Sequence, residues 1–83
     1  MQRPVFTQAS AKAKIGKRVR SQAALPAVPQ GTLGRVVDMT LAGDSYNVCV
    51  QWDIKGVTGL PYQDWFSRDE YERFLEEIKT TAV

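Results

Sequence analysis

The sequence predicts a mainly β domain of four to five short antiparallel strands, followed by one C-terminal amphipathic α-helix. Two patterns carry this prediction. Residues 45–53 alternate apolar and polar side chains, the period of a strand with one buried face. Residues 67–79 place apolar side chains at helical spacing. The chain has 83 residues, the size of a single small domain.

The N-terminal third predicts a flexible arm, a strand and a loop. Residues 1–12 show little hydrophobic periodicity, so we expect a flexible arm. Residues 14–20 alternate imperfectly, with Ile15 and Val19 as the buried candidates, and predict the first strand. Residues 21–30 contain two prolines, which exclude the interior of a strand or helix and predict an unusually apolar loop.

The middle of the chain predicts a hairpin and an edge strand. Residues 31–39 and 45–53 are both strand-like, and a short turn containing Gly43 separates them, which is typical of an antiparallel hairpin. Residues 60–66 predict a further strand. Pro61 confines that strand to a sheet edge, because proline cannot donate a hydrogen bond to a neighbouring strand.

The C-terminal part predicts a capped helix over residues 67–79. Ser67 and Glu70 have the spacing of a capping box, in which each side chain bonds the other's backbone amide. The apolar stripe of this helix consists of Tyr71, Phe74, Leu75 and Ile78. We therefore expect the folded domain to span residues 13–79, with a tail at 80–83.

The composition excludes several kinds of chemistry. The chain has no His, which removes Ser–His and Cys–His nucleophile pairs and His-ligated zinc. Its single thiol, Cys49, cannot form an internal disulfide or a metal-binding cysteine cluster. The sequence therefore predicts a non-enzymatic protein without catalytic residues, metal, cofactor or small-molecule substrate. Because no apolar run approaches the roughly 18 residues of a membrane span and the lone thiol suits a reducing compartment, we expect a cytoplasmic protein.

Two glycine-containing patterns resemble the opening of small bacterial SH3-like barrels, including KOW modules. The first runs from Gly16 to Val19, and the second contains Gly31, Gly34 and Val36. The resemblance implies a small SH3-like antiparallel barrel of four to five strands with a C-terminal amphipathic α-helix. In that fold the two glycines of the second pattern permit a sharp bend and a close approach of the backbone to its neighbours.

The resemblance carries little functional information, because this fold hosts many functions. Peptide-binding SH3 domains have an acidic first loop, and the corresponding loop here has no acid. The type II dihydrofolate reductases share a similar opening, but their active-site tetrapeptide Val-Gln-Ile-Tyr has no counterpart in this chain.

Four apolar side chains are candidates for contact with another protein: Leu25, Val28, Tyr62 and Trp65. The first two lie in the apolar loop, where they form either an interface with another chain or an internal plug over the sheet. The aromatic pair lies on opposite faces of its strand, so one ring is expected to be exposed. These residues predict a small binding or adaptor module that contacts a partner protein or a second copy of the chain.

The alternative prediction is a nucleic-acid-binding module that uses the basic residues of the N-terminal half. Residues 1–37 carry seven bases and no acid, whereas five of the nine acids lie within residues 69–77. The candidate phosphate contacts are Arg3, Lys12, Lys14, Lys17, Arg18, Arg20 and Arg35. The same bases are also compatible with solvation or protection of an exposed strand, or with ion pairs to the acidic C-terminal segment, and the modest net charge of +2 favours these interpretations.

Overall fold

A computed structural model of the chain describes residues 5–56 and 58–79, which form one antiparallel sheet and two short helices. The elements in chain order are α1 (Gln8–Lys14), β1 (Arg18–Ser21), β2 (Leu33–Ala42), β3 (Ser45–Lys55), β4 (Pro61–Phe66), α2 (Arg68–Phe74) and β5 (Leu75–Ile78). The strand order is β4-β3-β2-β1-β5. The mainly β prediction is confirmed.

The sheet is open in the part of the chain that the structure describes. Strands β4 and β5 form its two edges and do not pair with each other, so the predicted closed barrel is not observed. The order is nevertheless compatible with a small barrel-like fold, because β1 contacts both β2 and β5. Neither α1 nor α2 has the length and apolar character needed to cross a membrane.

Strands β2 and β3 form the predicted hairpin. Their ladder ends with Ala42 opposite Ser45, and the turn between them has Gly43 at a φ of 65°. Such positive φ angles are typical of two-residue hairpin turns. Strand β4 pairs with the other side of β3 and lies at the sheet edge, as Pro61 predicted.

Helix α1 occupies part of the segment for which the sequence predicted a flexible arm, residues 1–12. Its N-terminus is capped by Thr7 and Ser10, whose hydroxyls each accept from the other's backbone amide at 3.1 and 2.8 Å. Phe6 and Ala11 are buried, so packing against the sheet stabilises a helix too short to form alone. Lys12 and Lys14 consequently lie on this helix and not on β1.

Strand β1 is shorter than predicted. It contains the buried Val19 but begins only at Arg18, and Ile15 is exposed at 43%. A turn at Gly16, whose φ is 94°, separates α1 from β1. The left-handed backbone at this glycine interrupts the alternation that the sequence pattern suggested.

Helix α2 is also shorter than the predicted helix over residues 67–79. It starts at the predicted capping box, where Ser67 N–H donates to Glu70 Oε1 at 2.9 Å and Glu70 N–H donates to Ser67 Oγ at 3.3 Å. It ends at Phe74, because Leu75 adopts an extended backbone with φ −121° and ψ 144°. The chain continues as β5.

Strand β5 pairs with β1 and covers the edge that β1 would otherwise present. Its register places Arg20 opposite Glu76, and their side chains form an ion pair at 2.7 Å. The apolar spacing that predicted a longer helix is therefore shared between α2 and β5, with Leu75 still buried. Strand pairing overrides the local helical preference here.

The core lies on the sheet face that carries Val48, Val50 and Trp52, as the alternation in β3 predicted. The buried cluster consists of Phe6, Ala11, Val19, Val28, Val36, Val48, Val50, Trp52, Phe66, Tyr71 and Leu75. Both helices contribute to it, through Ala11 and Tyr71. Cys49 is also buried, but it alternates with the core residues and so lies on the other face.

Candidate protein-binding groove

A cavity of about 310 Å³ opens between the loop that joins β1 to β2, the end of β4 and helix α2. Its apolar wall consists of Leu25, Pro26, Trp65, Phe66 and Phe74. We call this the Trp65 groove after Trp65, which lines it and is 46% exposed. The groove joins segments that are far apart in the sequence, so it exists only in the folded chain.

A tight turn places the loop wall of the groove. Leu25 and Val28 exchange backbone hydrogen bonds of 2.9 and 3.0 Å, and the residues between them are Pro26 and Ala27. Ala27 has a φ of 63°, in the left-handed region. A proline followed by a residue with positive φ is typical of the two central positions of a type II turn. Backbone strain of this kind at a non-glycine residue concentrates at binding sites. The turn holds Leu25 and Pro26 against the groove.

Two carboxylates complete the groove lining. Asp64 Oδ2 accepts from Trp52 Nε1 at 2.9 Å, which ties this side chain to the core. Glu70 belongs to the capping box of α2 through its bond to the Ser67 amide. The groove is therefore apolar along its wall and acidic along one rim.

Leu25 and Trp65 are the two predicted protein contacts that the structure brings together. Val28 is corrected: at 1% exposure it is a core residue, and it acts as the internal plug that the sequence left as an alternative to an interface. Tyr62 is half-buried against the core near the other end of β4. One ring of the aromatic pair is thus exposed, and it is Trp65.

The sequence did not identify Pro26, Phe74, Asp64 and Glu70 as part of the site. Phe74 belongs to the apolar stripe of the predicted helix, and Glu70 to its capping box, so each already had a structural explanation. Their common position becomes visible only when α2 packs beside the β1–β2 loop. The sequence feature that pointed to this site was the apolar loop containing Pro26. An apolar loop either packs on the rest of the fold or contacts another molecule.

Three of the predicted phosphate contacts are used in ion pairs within the fold. Lys14 pairs with Glu77, Arg18 with Asp53 at 2.9 Å, and Arg20 with Glu76 at 2.7 Å. The remaining described candidates are exposed and form no ion pair with residues 5–56 or 58–79: Lys12, Lys17 and Arg35. Arg3 lies outside the described residues.

A polar cluster around Glu77 joins three elements. Tyr71 Oη donates to Glu77 Oε2 at 2.8 Å, and Lys14 Nζ lies over the Tyr71 ring at 5.3 Å from its centroid. Partial burial works to raise the pKa of Glu77, but the hydrogen bonds from Lys14 and Tyr71 outweigh it and hold this pKa below its usual value. Burial, together with the bond to Glu77, raises the pKa of Tyr71. The cluster fixes α1 and α2 to β5.

The described residues offer little for metal or covalent chemistry. Burial first, and the nearby Asp38 and Asp64 carboxylates second, raise the pKa of the Cys49 thiol, which keeps it protonated and weakly nucleophilic at neutral pH. No group of His, Cys, Asp and Glu side chains within residues 5–56 and 58–79 is arranged to hold a metal ion.

No protein-family model matches the chain, and neither a curated protein nor a solved structure is significantly similar to it.

Proposed function

We propose that this chain is a non-enzymatic binding module that holds a segment of a partner protein in the Trp65 groove. The observation that carries the proposal is a concave, mostly apolar surface whose lining includes the half-exposed Trp65 together with Leu25, Pro26 and Phe74. Tryptophan rings at such positions are the side chains that most often dominate the energy of a protein interface. Most of the other large aromatic side chains are fully or largely buried, which makes the exposure of Trp65 distinctive.

The size of the groove favours one or two side chains of a short segment. Its volume of about 310 Å³ lies at the lower end of the range for ligand sites, roughly 300–1,000 Å³. The preformed turn at Leu25–Val28 supports binding with little reorganisation, since its backbone is already fixed by two hydrogen bonds. A segment of a second copy of the chain is a special case of such a partner, and sedimentation distinguishes it.

The fold and location proposals rest on separate observations. A strand order in which β1 lies between β2 and β5, with α2 between β4 and β5 in the sequence, supports assignment to the SH3-like barrels. The free, buried thiol of Cys49 fits a cytoplasmic location.

The nucleic-acid alternative now depends on Lys12, Lys17 and Arg35. Because ion pairs occupy Lys14, Arg18 and Arg20, phosphate binding there would have to compete with internal carboxylates. If three free bases each neutralise one phosphate, log K against log salt concentration has a slope near −3 for duplex DNA. A gel-shift series in which this slope is about −5 or steeper would instead indicate that the paired bases also bind phosphate.

The direct test of the proposal is a peptide selection followed by substitution of the groove. Peptides selected from a random display library against the wild-type chain should bind the Trp65→Ala variant at least about tenfold more weakly, as expected for a central aromatic contact. Leu41→Ala is the matched control, because Leu41 is 61% exposed near the β2–β3 turn and does not line the groove. Equal loss in both variants, or selected peptides that ignore Trp65, would contradict the proposal.

A further inference from the structure

We infer that the partner segment is cationic as well as apolar: the Trp65 groove takes an aliphatic or aromatic side chain that is flanked by Lys or Arg. This inference rests on the proposed function and adds the chemistry of the partner. Two carboxylates at the groove, Asp64 and Glu70, carry it, together with the way in which the fold uses its other charges.

Ion pairs within the fold neutralise most of the acids but not those of the groove. The acids with an ion-pair partner among the described residues are Asp53, Asp69, Glu72, Glu76 and Glu77. Those without one in residues 5–56 and 58–79 are Asp38, Asp44, Asp64 and Glu70. Half of this second group lines the groove, which leaves two uncompensated negative charges at its rim.

Neither base of α2 forms an ion pair with Asp64 or Glu70, although the Arg73 guanidinium lies 5.9 Å from the centroid of the Phe74 ring. Arg68 pairs with Glu72 at 3.1 Å, and Arg73 pairs with Asp69 at 3.2 Å, each one turn away along the helix. Both guanidinium groups are thus engaged on α2 itself. Glu70, between them in the sequence, is left to face the groove.

Asp38 lies in the same cross-strand row as Trp65. Trp65 is opposite Cys49 in the β3–β4 ladder, and Cys49 is opposite Asp38 in the β2–β3 ladder. The three residues therefore form a row across the sheet. A cation bound at the groove would be attracted by the Asp64 and Glu70 carboxylates that line it, and over a longer distance by Asp38.

The carboxylates of the groove disfavour an anionic partner. A phosphate or acidic side chain at this groove would be repelled by Asp64 and Glu70, and such like-charge contacts are strongly unfavourable. The free bases Lys12 and Lys17 are on α1 and the turn that follows it, not in the groove lining. The sign of the partner's charge therefore follows from the groove and not from the basic N-terminal half of the sequence.

The experiment measures the affinity of library-selected peptides for charge-neutral variants of the groove. Asp64→Asn keeps an oxygen for the Trp52 indole, and Glu70→Gln keeps a capping-box acceptor, so both retain the hydrogen bonds seen in the fold. Asp44→Asn is the control, since it removes an equally unpaired charge at the hairpin turn. Thermal unfolding of each variant verifies that it folds.

We expect selected peptides to be enriched in Lys or Arg beside an apolar residue. The Asp64→Asn, Glu70→Gln double variant should bind them about three- to tenfold more weakly at low salt, and the difference should shrink as salt is added. Replacing the peptide Lys by Gln should weaken binding to the wild-type chain but not to the double variant. Asp44→Asn should bind like the wild type.

Three results are informative in different ways. Peptides that need Trp65 but lack basic residues, or that bind the double variant unchanged, would overturn the charge inference and leave the proposed function standing. Peptides enriched in Asp or Glu would do the same. If the library yields no peptide whose binding depends on Trp65, the proposed function fails and the charge inference fails with it.

Discussion

Gly34 sets the distance between β2 and the Trp52 ring. A Cβ atom at this position would lie 2.8 Å from Trp52 Cε3 and 2.9 Å from Val50 Cγ1. Both neighbours are buried core side chains, so neither can move away freely. The close backbone approach that the glycine pattern implied is therefore confirmed at this residue.

Substitution of Gly34 by Ala should destabilise the fold by overpacking. We expect a loss of about 1–3 kcal/mol in the free energy of unfolding, measured by urea denaturation with intrinsic fluorescence. Gly56→Ala is the control, because the nearest atoms to a Cβ there are 3.8 Å away and the backbone has no positive φ. Equal stability of the two variants would mean that the Trp52 ring does not pack on β2 as described.

The exposure of Trp65 was only partly predictable from the sequence. The sequence indicated that one ring of the Tyr62–Trp65 pair would be exposed, because residues an odd number of positions apart in a strand face opposite sides. It could not decide which one, since that choice depends on where the core lies relative to β4. Asp64 was still less predictable, because its bond to the Trp52 indole spans two strands.

At the scale of elements, local patterns predicted those structures that depend on local interactions. The β2–β3 hairpin and the start of α2 at Ser67 follow from alternation, turn residues and a capping box. Helix α1 and strand β5 depend on non-local packing. The capping box of α1 has Ser10 where Glu or Gln is usual, and the apolar spacing around Leu75 is compatible with both a helix and a strand.

The Glu77 cluster connects α1, α2 and β5 and makes their association sensitive to acid. Lys14 and Tyr71 both bond the Glu77 carboxylate, and they hold its pKa below the ordinary value of 4.5. A lowered pKa in the folded state contributes stability above the unfolded-state value, and that stability is lost as the pH falls through the folded-state pKa. The acidic side of about pH 4.5 is therefore where α1 should loosen first.

Replacing Glu77 by Gln should lower the free energy of unfolding at neutral pH and flatten its decrease between neutral pH and the acidic range. Urea denaturation over a pH series measures both effects. Glu72→Gln serves as the control, because Glu72 forms only an exposed ion pair within α2 and should leave the pH dependence almost unchanged. An identical pH dependence for wild type and Glu77→Gln would contradict the role of the cluster.

At the scale of the whole molecule, half of the described bases in the N-terminal half form ion pairs within the fold. The basic N-terminal half meets acids of β3 and β5 through Arg18–Asp53, Arg20–Glu76 and Lys14–Glu77. The sequence left open whether such bases bind phosphate or pair within the fold. Only the tertiary structure places the partners side by side, because they are 35 to 63 residues apart in the chain.

The charge of the groove differs from that of the basic surface on which the nucleic-acid alternative relied. Composition drew attention to the bases, yet the apolar groove of the folded chain carries the carboxylates of Asp64 and Glu70. We therefore propose that the molecule binds a short apolar and cationic segment at the Trp65 groove, and not a nucleic acid at its N-terminal half.

One NMR titration tests that claim most directly. The ¹⁵N-labelled chain is titrated with a library-selected peptide in one series and with single-stranded RNA in another. The account predicts that the peptide shifts the Trp65 indole and the amides of Leu25 and Phe74, while RNA leaves the spectrum unchanged at moderate salt. It would be contradicted if the peptide left the Trp65 indole in place, or if RNA produced the largest shifts, at Lys12, Lys17 and Arg35.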